Sequence, residues 1–225
     1  MSLSRLVLKH FRNFSSLDLD FHPEFNFIYG NNAQGKTNLI EAIYYLSALK
    51  SFRATEKTEL IEKDAGAAKL AARFFKDDVS WDIDITLAAD GRQVLVNGKR
   101  PKTRRDYHEL VPIILFEPRH IYLFRSSPSE RRQYLNRALF LQDAGVLQIL
   151  SDYDKVVSQK NRLLKDRADR SQIETWNERL VELGASIVFL RQNWFAEIGT
   201  ELAREYKAIS GSAEELKLCY IPSQD

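Results

Sequence analysis

The chemistry in this chain is concentrated in eight residues, Gly30-Asn31-Asn32-Ala33-Gln34-Gly35-Lys36-Thr37. They read G-x-x-x-x-G-K-T, the pattern of a phosphate-binding loop. In such a loop the backbone N–H groups and the start of the next helix point at phosphate oxygens, whose charge the helix dipole favours. Lys36 would reach the β- and γ-phosphates, and the Thr37 hydroxyl would ligate Mg²⁺. An ordinary glycine-containing turn ahead of a helix is the competing reading, and the flanks decide between them. Phe25-Asn26-Phe27-Ile28-Tyr29 alternates and then turns fully apolar, as a strand entering a buried sheet does. Leu39, Ile40, Ala42, Ile43, Leu46 and Leu49 then recur at helical spacing. Strand, glycine-rich turn and helix follow in the order that nucleotide binding requires.

Hydrolysis asks for a further carboxylate at the end of an apolar strand to help hold Mg²⁺, and for a group that orients the attacking water. Residues 113–117 form an apolar run ending in Glu117 and passing straight into Pro118, so Glu117 is the candidate acid. A plain buried strand explains the same run, and no residue is assigned a catalytic role. Asp82 and Asp84 fall on the polar side of their strand and are expected to be solvated. A second charged feature is Lys99-Arg100-Pro101-Lys102-Thr103-Arg104-Arg105, with five cations in seven residues. Lys99, Arg100, Lys102, Arg104 and Arg105 could neutralise phosphates and make binding steeply salt-dependent. From sequence alone a solvated loop is the favoured reading. No aromatic residues interleave the patch, so it lacks the signature of a single-strand binder.

The elements that position these residues are readable from periodicity. Leu6 and Leu8, then Leu17, Leu19 and Phe21, recur at period two and predict two strands ahead of the loop. Trp81, Ile83, Ile85 and Leu87 alternate with polar residues, Asp90-Gly91 turns the chain, and residues 94–96 continue it. Asn97-Gly98 is a hairpin-turn signal, because both central positions need positive φ. These strands predict an antiparallel meander, followed by a strand at 113–116.

Composition changes near Ser126. Ser127, Pro128 and Glu130 spell an N-cap, a first-turn proline and a capping box. Trp176, Leu180, Leu183, Ile187, Leu190 and Trp194 form a seam with steps of four and three. Leu147, Leu150, Val157 and Leu164 would line the partner helix, with a polar turn at 167–171. Gly211 ends the pattern, and residues 216–221 read as the start of another strand. The expected organisation is a P-loop lobe over 1–125, a helical lobe over 126–210 and a further strand beginning within 211–225.

Bulk properties bound the answer. The 225 residues suffice for a sizeable core, and a net charge of +2 commits the chain to neither nucleic acid nor membrane as a whole. A single cysteine, Cys219, excludes an intramolecular disulfide and fits a reducing cytosol. No signal peptide or membrane span is legible, so a cytoplasmic protein is expected.

The opening Leu6-Val7-Leu8-Lys9-His10-Phe11-Arg12-Asn13-Phe14, the stretch from Gly30 to Ile43, Ser51-Phe52-Arg53 and the stretch from Ser127 to Leu135 together resemble the RecF DNA repair and recombination family. The resemblance implies an α/β fold: a P-loop ABC-type ATPase head with a mixed sheet and antiparallel meander, plus a helical second lobe. It implies ATP and Mg²⁺ as ligands and a role in DNA replication, repair, recombination and the SOS response. It further implies DNA as a partner, an ATP-dependent homodimer of the full-length protein that sandwiches ATP between two heads, and recombination mediator proteins that help load recombinase at gaps. Arg12, Asn13 and Arg53 match family positions near the nucleotide, although a surface strand-end or a solvated charge explains them equally well. Glu117-Pro118-Arg119-His120 departs from the family, which usually carries acidic residues after that proline. The signature motif and the acidic strand of the family, which lie in its last third, are not found, so the chain reads as an amino-terminal portion that binds ATP without hydrolysing it. Two rivals stand beside this reading. One is a complete, compact P-loop NTPase or kinase using Glu117; the other is an interaction module in which ATP is only a structural ligand.

Overall fold

A computed structural model describes residues 1–222 except 78, 144, 168 and 213; the side chain of Arg104 also lies outside the described residues. The chain divides into two compact units, Met1–Glu117 and Pro118–Asp225.

In the first unit the predicted alternations become strands β1 (Ser2–Phe11), β2 (Phe14–Asp20), β3 (Ala67–Lys76), β4 (Val79–Ala88) and β5 (Gly91–Val96). They form an antiparallel sheet in the order β2-β1-β3-β4-β5. One face is apolar because period two sends Leu6, Leu8, Leu70, Ile83, Ile85 and Leu87 to the same side, where all are buried. Helix α1 (Lys36–Ala48) contributes Leu39, Ala42, Tyr45 and Leu46 to the same core. Each large apolar side chain removed from water contributes roughly 1.5–3 kcal/mol.

Strand β3, the centre of the sheet, is absent from the periodicity reading. Its inward positions Ala68, Leu70, Ala72 and Phe74 alternate correctly, but two of them are alanines, whose β-preference is weak. On the solvent face Arg5 makes paired hydrogen bonds to Asp18 at 2.8 and 2.6 Å, and Arg73 to Asp82 at 2.7 and 3.1 Å. Asp82 is therefore ion-paired rather than simply solvated. The Asn97-Gly98 turn forms as expected: φ is 49° and 74° at the two residues, and Val96 pairs with Lys99.

In this unit two predicted strands do not form. Residues 25–29 and 113–116 pair with no strand among the described residues, and Phe27 and Ile114 are 75% and 84% exposed. An apolar run becomes a buried strand only where a neighbour supplies hydrogen bonds and a covering layer. Between them lies an element that periodicity missed, α2 (Arg104–Leu110), opened by a Thr103–Asp106 capping box.

The second unit is helical, with α3 (Pro128–Gln142), α4 (Val146–Lys165) and α5 (Arg170–Ser210) preceded by a 3₁₀ segment, Pro118–Arg125. The Ser127–Glu130 capping box opens α3 as its sequence indicates, and Gly211 closes α5 in the left-handed region at φ 63°. Leu183 and Ile187 of the predicted seam are buried. On α4 the buried residues are Val146 and Val156, and Leu164 is half-exposed, so the partner stripe lies one position from the expected one. Residues 216–221 form no strand. No described helix is long and apolar enough to cross a membrane.

Candidate nucleotide site

The loop 30–35 connects the exposed run 25–29 to α1. Gly30 and Gly35 adopt φ of 143° and 100°, where an L side chain is strained, and Ala33 is also left-handed at 65°. Gly35 has a second constraint. A Cβ placed on it would lie 2.7 Å from the Asn13 side-chain nitrogen and 2.8 Å from Phe14 Cζ. The side-chain ends of Asn13 and Phe14, from the turn between β1 and β2, thus lie against the end of the loop and would have to shift to admit a Cβ. Lys36 Nζ donates to the Gly30 and Asn31 carbonyls at 2.8 and 2.6 Å, bending the loop back over the helix start.

Helix α1 begins without a side-chain cap and without an acidic residue in its first turn. Helices α2 and α3 satisfy their first N–H groups with capping boxes, whereas α4 and α5, like α1, have neither a side-chain cap nor a first-turn acid. What distinguishes α1 is the glycine-containing loop folded over its start, where the open N–H groups and the helix dipole would favour an anion; Asn31, Asn32, Ala33 and Gln34 lie in that loop and Thr37 in the first turn. The donor set, made of loop N–H groups, one ammonium and one hydroxyl, matches a phosphate chain with its cation.

Around this end the structure gathers residues that the spacing could not. Arg12 donates to both carboxylate oxygens of Glu41, Nε to Oε2 at 2.9 Å and Nη2 to Oε1 at 2.8 Å. Asn38 Nδ2 donates to Asn13 Oδ1 at 2.7 Å, and Arg53 Nη1 donates to Asn38 Oδ1 at 3.0 Å. Glu41, fully buried in α1, is invisible to sequence reasoning as a functional residue because an acid in a helix normally points to water. Farther out, Glu62 accepts from Ser15 and from His10 Nδ1 at 2.6 Å, and these two hydrogen bonds hold its carboxyl below the usual glutamate value.

The cationic patch is not part of this cluster. Lys99, Arg100, Lys102 and Arg105 are on the surface, with Arg105 paired to Glu109 at 2.7 Å on α2; the Arg104 side chain lies outside the described residues. Helix α2 docks on the far end of α1, where Tyr107 Oη donates to the Leu46 carbonyl and His108 Nδ1 lies 2.8 Å from the Ser47 carbonyl. The loop and the patch thus belong to opposite ends of a 13-residue helix, about 20 Å long at 1.5 Å per residue. Glu117 is half-buried at the end of a run that pairs with no described strand. No group of three His, Cys, Asp or Glu side chains placed to hold a metal ion occurs among the described residues.

A P-loop between an antiparallel sheet and α1, followed by a helical unit, defines the ABC-type ATPase head. The chain belongs to the RecF/RecN/SMC N terminal domain family, whose model matches residues 2–216. Among curated relatives it is 34% identical over 222 residues to the DNA replication and repair protein RecF of Geobacter metallireducens, covering 99% of this chain and 60% of that protein. The same name is carried by a Halalkalibacterium halodurans relative that is 34% identical over 234 residues, with 99% and 61% covered. The fold superposes with a TM-score of 0.85 and 30% identity on the recombination mediator protein RecF-ATPrS of the RecFOR pathway, over 93% of this chain and 58% of that one. The chain thus spans about 60% of the length of the curated relatives it matches. A compact enzyme built on Glu117 is not favoured by this membership.

Proposed function

We propose that this chain is the nucleotide-binding portion of a RecF protein acting in DNA repair, replication and recombination. ATP with Mg²⁺ is held by Gly30, Asn31, Asn32, Ala33, Gln34, Gly35, Lys36 and Thr37. The observation that carries this reading is the G-x-x-x-x-G-K-T loop at the start of α1, with Gly30 and Gly35 at positive φ and Lys36 Nζ folded back on the loop carbonyls. Lys36 and the loop N–H groups bind the phosphates, and Thr37 supplies a hydroxyl to Mg²⁺. Bound Mg²⁺ would neutralise phosphate charge.

In the whole protein two heads close on ATP to form a homodimer in the cytoplasm. Lys99, Arg100, Lys102, Arg104 and Arg105 contribute to DNA contact, and mediator proteins assist recombinase loading. The chain by itself binds ATP without turning it over, because each site is completed by a second head. The proposed boundaries are a P-loop lobe to about residue 125 and a helical lobe to 210.

Equilibrium titration with a fluorescent ATP analogue and Mg²⁺, beside Lys36→Ala, tests the core of the proposal. Binding that the substitution removes, with no phosphate release above the control, is expected; binding that survives it overturns the assignment of the loop. For the patch, replacing Lys99, Arg100 and Lys102 by Ala should flatten the salt dependence of DNA binding by roughly one unit of slope for each phosphate left unneutralised. An unchanged slope removes these residues from the interface.

A further inference from the structure

We infer that Glu41 is a positioning residue of the nucleotide site, a buried carboxylate that holds Arg12 and the 51–54 turn in register with the phosphate loop. The inference rests on the reading that this loop binds ATP.

Packing does not explain Glu41. Its neighbours on α1, Leu39, Ala42, Tyr45 and Leu46, are core residues, and Glu41 is as inaccessible as they are. A well-packed apolar set in place of a whole buried ion pair is often as stable or more so, because the charges must be stripped of water. What the carboxylate adds is connection. It accepts both Arg12 hydrogen bonds and a third from Ser51 Oγ, and its Oε2 lies 4.0 Å from Arg53 Nη1. Ser51 Oγ in turn accepts from the backbone N–H groups of Arg53 and Ala54 at 2.8 and 2.7 Å, fixing the turn that carries Arg53.

From Arg53 the path runs through Asn38 to Asn13, and Asn13 abuts Gly35. A ring therefore runs from Glu41 through Ser51, Arg53, Asn38 and Asn13 to Arg12, its chain neighbour, and back to Glu41. It touches the nucleotide loop at two points, Gly35 and the first turn of α1.

Arg12 also donates Nη1 to the Glu59 carbonyl at 2.7 Å and feels the Glu59 carboxylate, so its charge is shared between two acids and the ring carries no surplus of positive charge. Its preference for an occupied loop is positional: because it holds Arg53, Asn38 and Asn13 against the loop, occupancy of the loop and integrity of the ring favour each other, by the reciprocity of any binding linkage.

The test is nucleotide affinity in a double-variant cycle. The 225-residue chain, Glu41→Gln, Arg53→Gln and the double variant are titrated with Mg²⁺ and a fluorescent ATP analogue, at a temperature where melting curves show each to be folded. Glu41→Gln should weaken ATP at least tenfold, roughly the loss of one charge-assisted hydrogen bond. Arg53→Gln should weaken it alone and add little in the Glu41→Gln background. A purely structural Glu41 would lower the melting temperature while leaving the folded protein's affinity unchanged, and that result, or fully additive losses, overturns the inference. Should Glu41→Gln not fold, Ser51→Ala keeps the Arg12–Glu41 pair and takes its place. A loss of about threefold or more supports the ring, and unchanged affinity overturns it. If the unsubstituted chain binds ATP no better than Lys36→Ala, the nucleotide reading itself fails and the role of Glu41 falls with it.

Discussion

Ile83, Ile85 and Leu87 on β4, and Phe25, Phe27 and Tyr29 ahead of the phosphate loop, share one alternating pattern, yet the first three are at most 1% exposed and the last three 74–82%. Composition does not separate them. β4 is hydrogen-bonded to β3 on one side and β5 on the other, and its inward side chains share a core with those of α1. Residues 25–29 have neither advantage among the described residues, and Ile114 and Phe116 are similarly exposed. Burial in this unit follows the supply of neighbours, and alternation is only the entry requirement. The phosphate loop lies at the border between the two regimes, braced on one side by the β1–β2 turn and entered on the other through an exposed run.

The sharpest way to break this comparison is in the core. Ile85→Ala should cost about 2–5 kcal/mol in urea denaturation, since its cavity cannot collapse between two paired strands; a cost below about 1 kcal/mol would show the sheet to be loosely packed. At the border, Gly35→Ala should cost about 1–3 kcal/mol and weaken ATP binding at least tenfold, because φ of 100° and the approach of Asn13 and Phe14 both resist a Cβ. Isothermal titration and melting curves on the same variant check both halves. Full affinity would mean that the turn moves aside without consequence.

A smaller effect concerns Glu62, which joins the segment after the 3₁₀ turn Lys57–Leu60 to the β1–β2 hairpin. Its folded pKa is held below 4.5, first by the Ser15 hydrogen bond and then by His10, so its contribution is complete above that value and lost as pH falls through the depressed one. Melting temperatures measured from about pH 6 down to about pH 3 should therefore fall less for Glu62→Gln than for the natural chain, and parallel curves would remove Glu62 from the acid response. Smallest of all, Phe27→Ser should change stability by no more than about 0.5 kcal/mol while raising solubility. A loss comparable to Ile85→Ala would show that the run is covered in solution.

How much was legible follows the range of each signal. The phosphate loop, the Asn97-Gly98 turn and the Ser127–Glu130 capping box are local, and each is found where its residues stand. β3 escaped because Ala68 and Ala72 carry half of its inward pattern, and α2 because seven residues inside a cationic stretch show no apolar period. The arginine ring escaped for a different reason. Arg12, Asn13 and Arg53 stand out by family resemblance, but Glu41 joins residues up to 29 positions away, and no spacing rule spans that distance. The exposure of residues 25–29 was likewise unreadable, because a sequence states that a run is apolar and not what lies over it.

The strand order β2-β1-β3 carries a consequence in time. β1 meets β3 by pairing Leu8 with Leu70, about 60 residues later in the chain. A ribosome adding 5–20 residues each second needs roughly 3–12 s to make that partner. Throughout that interval the β1–β2 hairpin, with Asn13 and Phe14 at its turn, has both edges open and no finished core beneath it. The nucleotide loop is fully synthesised by Thr37, yet the sheet that steadies its brace awaits a strand still inside the translation machinery. The pace of synthesis, more than the loop's own geometry, sets when this site can first take shape.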